Sequence, residues 1–151
     1  MDIGHVIDEQ IPHETLQRSK QLYFDELATG EVSSICKFNY AHALLRSNKK
    51  DIKTGIALLE EFLEKNDDEI PKRDIIYFMA IGYTRLTDYD RAMVYVDLLL
   101  SAEENNRQAL DLKNCIEKRM RNSGLWGAAI IGAGVLGIAG LTLSAVLSGR
   151  K

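Results

Sequence analysis

Cysteine is nearly absent from this chain: Cys36 and Cys115 are the only two among 151 residues. They lie far apart, and neither has a second Cys or a His at ligand spacing. A disulfide framework and a zinc site both lack support, and the two read as reduced packing thiols. Proline is as scarce, with two residues, Pro12 and Pro71, each placed where a helix can open. No stretch alternates apolar and polar residues long enough to claim a strand. The phosphate-cradling G-x-x-x-x-G-K-[ST], the H-E-x-x-H and the G-x-S-x-G motifs are all missing. The three histidines are scattered: His5 lies in an N-terminal stretch, His13 at a helix start, and His42 near an apolar helix face, where it reads as a packed side chain. Enzymatic chemistry therefore has little support, and no cofactor or metal is implied. An excess of basic charge is missing too, with 19 Lys and Arg against 22 Asp and Glu, which argues against nucleic acid and against general attraction to anionic lipid.

What is present is a greasy segment at the C-terminal end. Residues 125–147 carry no charge over 23 positions. At ~1.5 Å per residue such a helix is ~35 Å long, enough to cross a ~30 Å hydrocarbon core with some tilt. The N-terminus opens with Asp2, Glu9 and Glu14 rather than a basic, apolar leader, so the expectation is a tail anchor with residues 148–151 as a short basic tail. Arg107, Lys113, Lys118, Arg119 and Arg121 gather before the span, where positive charge favours the cytoplasmic side. Two of the 19 basic residues, Arg150 and Lys151, follow the span, which leaves 17 basic against 22 acidic side chains before it.

Inside the span, Gly132-Ala-Gly134-Val-Leu-Gly137 matches G-x-G-x-x-G letter for letter. The dinucleotide fingerprint also needs a preceding strand, a following helix and an acid ~20 positions on. No acid follows Glu117, so the match is rejected. Ala129, Ala133 and Gly137, or Gly140 and Ser144, instead align at every fourth residue. They let a second helix approach closely, and a homo-oligomer is one use of that.

Before the span, the pattern predicts six short amphipathic helices: about 12–28, 34–47, 50–65, 71–86, 89–102, and one starting after Asn105 or Asn106 and reaching 122. Leu16, Tyr23 and Leu27 face inward on the first; Ile35, Phe38, Ala41 and Leu45 on the second; Ile52, Ile56, Leu59, Phe62 and Leu63 on the third; Ala109, Leu112, Ile116 and Met120 on the sixth. Asp88 suits an N-cap for the fifth. Asn66 to Glu69 reads as a solvated loop.

These helices repeat. Ile76, Met79, Ala80, Tyr83, Asp88-Tyr89, Ala92 and Val96 follow the spacing of a tetratricopeptide pair, in which small residues such as Ala80 and Ala92 let two antiparallel helices touch. An earlier, degenerate copy runs through Phe38, Ala41, Leu45, Gly55, Leu59 and Phe62, with His42 and Gly55 at the small positions. Two pairs are fewer than a free solenoid needs, so the first and sixth helices must cap them. The fold class is all-α: a six-helix bundle with two tetratricopeptide-like pairs over 12–122, an N-terminal arm over 1–11, and one C-terminal transmembrane helix. Its shallow groove is expected to present Asn39, Tyr40, Ala43 and Arg46 from the earlier pair and Tyr77, Phe78, Ile81, Thr84 and Arg85 from the later one. Tyr, Phe and Arg are the types that most often dominate binding energies.

Phe38-Asn-Tyr-Ala41, Leu44-Leu-Arg-Ser47, Gly55 to Glu61, Arg73-Asp74, Ala80-Ile-Gly-Tyr83, Arg85-Leu86, Tyr89, Ala92, Tyr95-Val96 and the Gly-rich tail together resemble the mitochondrial fission protein 1 family, from about residue 12 onward. That resemblance implies a cytosol-facing domain on the mitochondrial outer membrane and often on peroxisomes. It also implies recruitment of dynamin-related GTPases, directly or through adaptors, or of Rab GTPase-activating proteins, in organelle fission and mitophagy. In that family the segment before the first helix can fold over the groove; here that stretch contains Ile3, Val6 and Ile7, whose pattern does not assign it the role. The alternative is a tail-anchored receptor for chaperone or precursor peptides, which clamps a terminal carboxylate with several Lys, Arg and Asn. This groove offers mainly Arg46 and Arg85. A tail-anchored apoptosis regulator would need a long, wholly apolar central helix, which the sequence lacks.

Overall fold

A computed structural model describes residues 2–124. The expected span over 125–147, the tail at 148–151 and the small-residue stripe of Ala129, Ala133, Gly137, Gly140 and Ser144 lie outside the described residues. Within them no helix is long and apolar enough to cross a membrane, and every regular element is a helix: α1 (Gly4–Ile7), α2 (His13–Ala28), α3 (Ser34–Leu44), α4 (Lys49–Glu64), α5 (Lys72–Arg85), α6 (Tyr89–Ala102) and α7 (Arg107–Asn122).

The boundaries follow local chemistry. Ser33, Asn48, Asp88 and Asn106 each cap a helix by accepting an orphan backbone N–H through the side chain, from Cys36, Asp51, Arg91 and Ala109 respectively, which is how short polar side chains start helices. Helix α3 stops at Leu44, three residues before the expected end, because the backbone tightens there. Arg46 N donates to Ala43 O at 3.1 Å and Ser47 N to Leu44 O at 3.2 Å, an i→i+3 pattern that closes the helix.

Before residue 125 the sequence predicts six helices, and seven are found among the described residues. The extra one, α1, is a single turn inside the N-terminal arm, too short to leave a periodic signal. Its first amide is held by the Asp2 carboxylate at 2.9 Å, and Ile7 at its end is only 3 % exposed.

Each helix packs chiefly on its neighbours in sequence from α2 to α7, and α7 also reaches α5. Helices α3 with α4, and α5 with α6, form the two expected pairs. Their contact surfaces are built from small residues: Ala41, Ala80 and Ala92 are fully buried. Gly55 is closer still, since a Cβ there would stand 2.9 Å from the Ala41 carbonyl oxygen and 3.1 Å from Leu44 Cβ. Two inward assignments are corrected: Leu27 is 46 % exposed and Ile35 58 %. Helix α2 covers one flank of α3 with a narrow strip, Leu16 and Tyr23, so side chains beyond that strip face outward.

Candidate partner-binding groove

Three helices present one stripe each to the concave face, with residues four apart so that successive turns align. Helix α3 offers Phe38 and His42 and leads into Arg46. Helix α5 offers Tyr77, Phe78, Ile81 and Arg85, and α7 offers Asp111, Cys115 and Arg119. At one end the stripes meet through aromatic rings. Phe78 meets Phe38 edge-on at 5.7 Å, His42 at 4.6 Å and Tyr77 at 5.6 Å between centroids, geometries that favour ring pairs. All four are half-buried rather than sealed, so their outer surfaces remain available. Burial, and then the Asp111 carboxylate across the groove, raise the Tyr77 hydroxyl above its ordinary pKa. Burial, and then Arg46, lower His42 below its ordinary 6.5, a shift that favours the neutral ring.

At the other end stand three guanidinium groups, one from each stripe, and the arm lies on them. Arg85 Nη1 donates to Ile7 O at 2.6 Å and to Glu9 O at 3.0 Å, while Nη2 reaches Ser47 O at 3.5 Å. Arg119 grips the Asp8 carboxylate with both terminal nitrogens, at 3.1 and 2.8 Å, and also donates to Gly4 O at 3.3 Å. Arg46 pairs with Glu9 at 2.8 Å, and its carbonyl, freed by the early end of α3, accepts from Ile11 N at 3.0 Å. Oriented to satisfy both of its polar atoms, the Gln10 amide accepts from Arg85 Nη2 at 2.7 Å and donates to Arg46 O at 3.2 Å. Arg85 Nε is buried without a partner. Burial lowers the Arg85 pKa, Asp8 opposes that, and Arg46 and Arg119 add to it. Burial also works against the charge on Arg119, but Asp8 and Cys115 outweigh it and the net shift is upward.

The expected groove residues separate into two sets. Tyr77, Phe78, Ile81, Arg46 and Arg85 lie on the concave face. Asn39 is exposed on α3 and takes no part in the aromatic or arm contacts. Tyr40 is corrected: it is 7 % exposed and stacks on Tyr23 of α2 at 4.8 Å. Ala43 and Thr84 are corrected as well, being 3 % and 0 % exposed; the Thr84 hydroxyl donates to Ala80 O at 2.8 Å inside its own helix. Phe38, His42, Cys115 and Arg119 join the groove without having been among the expected residues. Their signal was the four-residue interval shared with Arg46 on α3 and with Asp111 on α7. On the opposite face Tyr83 stacks flat on Tyr95 at 5.6 Å, and its hydroxyl is pushed up to about 12 by burial and by Glu60. Among the described residues no cluster of His, Cys, Asp or Glu could hold a metal ion.

Two family models match the two helix pairs: the Fis1 N-terminal tetratricopeptide repeat over residues 36–66 and the Fis1 C-terminal tetratricopeptide repeat over residues 73–125. The FIS1-related protein fis-2 of Caenorhabditis elegans is 40% identical over 142 residues, covering 93% of this chain and 94% of its own length. The mitochondrial fission 1 protein of Mus musculus is 42% identical over 137 residues, covering 90% of each chain. The crystal structure of yeast Fis1 in complex with an Mdv1 fragment superposes with a TM-score of 0.69 at 27% identity, over 78% of this chain and 91% of that one. Repeat sequence, pair geometry and overall similarity agree, and the chain belongs to the Fis1 family of mitochondrial fission proteins.

Proposed function

We propose that this chain is a membrane-anchored adaptor of mitochondrial and peroxisomal fission, which recruits dynamin-related GTPase machinery or its adaptors through the concave groove. The observation that carries this reading is the groove itself: three side-chain stripes, aromatic and half-buried at one end, cationic at the other. Similarity to a yeast protein crystallised with an Mdv1 fragment supports a partner of the adaptor type. Rab GTPase-activating proteins are a second partner class in the same reading.

The apolar segment over 125–147 would hold residues 12–122 at the cytosolic surface of the outer membrane, with residues 1–11 lying on the groove. Confinement to a surface raises local concentration, so a micromolar contact suffices once several copies act together. Cells lacking the chain should have elongated mitochondria, restored by the natural sequence but not by a chain with Tyr77→Ala and Phe78→Ala. Proximity labelling from the N-terminus should tag dynamin-related GTPases or their adaptors. Full rescue by the doubly substituted chain, with unchanged labelling, would remove the groove from the mechanism. Protection of the N-terminal part from protease added to intact mitochondria would reverse the topology.

A further inference from the structure

We infer that the cationic end of the groove is a recognition site for an acidic partner peptide, one that closes a helical turn on a large apolar residue and continues with two carboxylates. This deepens the adaptor reading and rests on it. The chain's own arm displays the chemistry. Ile7 ends α1 and is 3 % exposed among core side chains. Asp8 turns to α7 and takes both terminal nitrogens of Arg119; Glu9 turns the other way to Arg46 at 2.8 Å. Between them Arg85 takes the two backbone carbonyls of residues 7 and 9. The site thus reads one apolar side chain, two acids that diverge to opposite walls, and the backbone that joins them.

Among the described residues the arm supplies every carboxylate that pairs with Arg46 and Arg119. An occupant lacking both acids would leave two partly buried guanidiniums without counter-charge, and burial of an unpaired charge is unfavourable. Each arm carboxylate is 61% exposed, so solvent screens these pairs and a partner bearing the same pattern can exchange with the arm. The chain before the span carries more acidic than basic side chains, which makes this local reversal of sign a means of selecting where an acidic segment lands.

The test uses the full chain in lipid nanodiscs and the capped peptide of residues 2–11, read by fluorescence anisotropy. The site is vacated in cis by Ile7→Ser, Asp8→Asn and Glu9→Gln. That chain should bind the peptide at least tenfold tighter than the intact chain does. A peptide keeping only Ile-Asp-Glu in an alanine-glycine background should bind as well, and its Ile-Asn-Gln counterpart at least tenfold more weakly. Chain Arg119→Gln should bind the Asp8→Asn peptide and the natural peptide equally, a coupling that a merely structural arginine would not give. If the triple variant loses helical signal, the same chain with Ile7→Ala in place of Ile7→Ser serves, because alanine favours the α1 turn and still removes the buried apolar hold.

Equal binding of the acidic and amide peptides would overturn the proposal, as would equal binding by intact and vacated chains. So would binding that requires a free C-terminal carboxylate, which marks a carboxylate clamp, or dimers of the intact chain that Asp8→Asn dissolves, which make a second copy the occupant. Mitochondrial elongation is not read here, so a failed recruitment reading and a failed peptide reading remain distinguishable.

Discussion

Replacing Gly55 by Ala sets two effects of known size against each other. In a helix interior Ala is favoured over Gly by about 1 kcal/mol, so propensity alone predicts a more stable protein. The added Cβ, however, would stand 2.9 Å from the Ala41 carbonyl oxygen, 3.1 Å from Leu44 Cβ and 3.2 Å from a Leu45 methyl. The nearest of these atoms belongs to the backbone of α3 and already accepts from Leu45 N at 3.1 Å. It cannot swing aside as a side chain would; the whole helix must move by a few tenths of an ångström. Overpacking of this kind costs about 1–3 kcal/mol, and an immovable neighbour puts the site in the upper part of that range.

The net expectation is a loss of about 1–2 kcal/mol, or roughly 3–10 °C in Tm for a domain of this size. Gly82→Ala is the internal control. Its Cβ would meet Leu45 and Ile56 side-chain atoms at 2.9 Å, and those can rotate in part, so the loss should be smaller. Equilibrium urea unfolding of residues 1–124, followed by helical circular dichroism, measures both. A Gly55→Ala protein as stable as the parent would show that α3 and α4 are not locked at this contact. Because α4 lies between α3 and α5, it would also show that groove width does not depend on the glycine.

Ile7→Ala removes the apolar anchor of the arm, a burial worth about 1.5–3 kcal/mol. The Ile11 amide, which donates to Arg46 O, should then exchange with solvent at least tenfold faster, while amides of α5 and α6 keep their protection; unchanged exchange at Ile11 would mean that the arm is held elsewhere. His42 makes stability fall with acid. Its folded pKa lies below the ordinary 6.5, so the unfolded chain binds more protons as pH drops from about 6.5 toward the folded value, and stability is lost over that interval. His42→Phe should flatten the fall of the unfolding midpoint as the pH drops below 6.5, and an unaltered slope would contradict the assignment. Thr87 adopts φ 60°, where a β-branched residue is strained by about 1–3 kcal/mol. Thr87→Gly should therefore stabilise the domain by up to ~1 kcal/mol in the same urea assay, and a destabilised variant would show that the Thr87 side chain makes compensating contacts.

Helix starts, pair spacing and small contact residues were legible because each is decided within one or two turns. Asp88 caps α6 as expected, and Ala80 and Ala92 lie fully buried where two helices had to touch. The stripe on α5 was legible apart from the buried Thr84; on α3 the stripe was not. Helix α3 carries apolar side chains almost all round, at Ile35, Phe38, Tyr40, Ala41, Ala43 and Leu44, so periodicity could not choose between the stripe through Tyr40 and Ala43 and the stripe through Phe38 and His42. Packing of α2 decided it by taking Tyr40 onto Tyr23. Arg119 escaped notice for a different reason. Its partner Asp8 lies 111 residues away, and no local pattern announces a contact between an N-terminal arm and the last described helix.

Arginines near helix C-termini have an ordinary explanation: a cation in the last turn interacts favourably with the helix dipole, by about 0.3–1 kcal/mol. That would account for Arg46, Arg85 and Arg119 had they remained solvated at their own helix ends. They do not. Arg85 is drawn inward until its Nε is buried without a partner, and an unsatisfied buried polar group costs about 1–3 kcal/mol, more than the dipole returns. Arg119 leaves its own helix end to grip Asp8. The helix dipole therefore does not account for this arrangement, whereas recognition does, because Arg85 and Arg119 are oriented toward backbone carbonyls and a carboxylate that a separate peptide can supply. The exposed ion pairs add at most about 1 kcal/mol each, which leaves Ile7 and the Arg85 hydrogen bonds as the main hold on the arm. A competitor with an equal apolar residue, the same two carbonyls and both acids matches every contact of the arm and has the physical means to displace it.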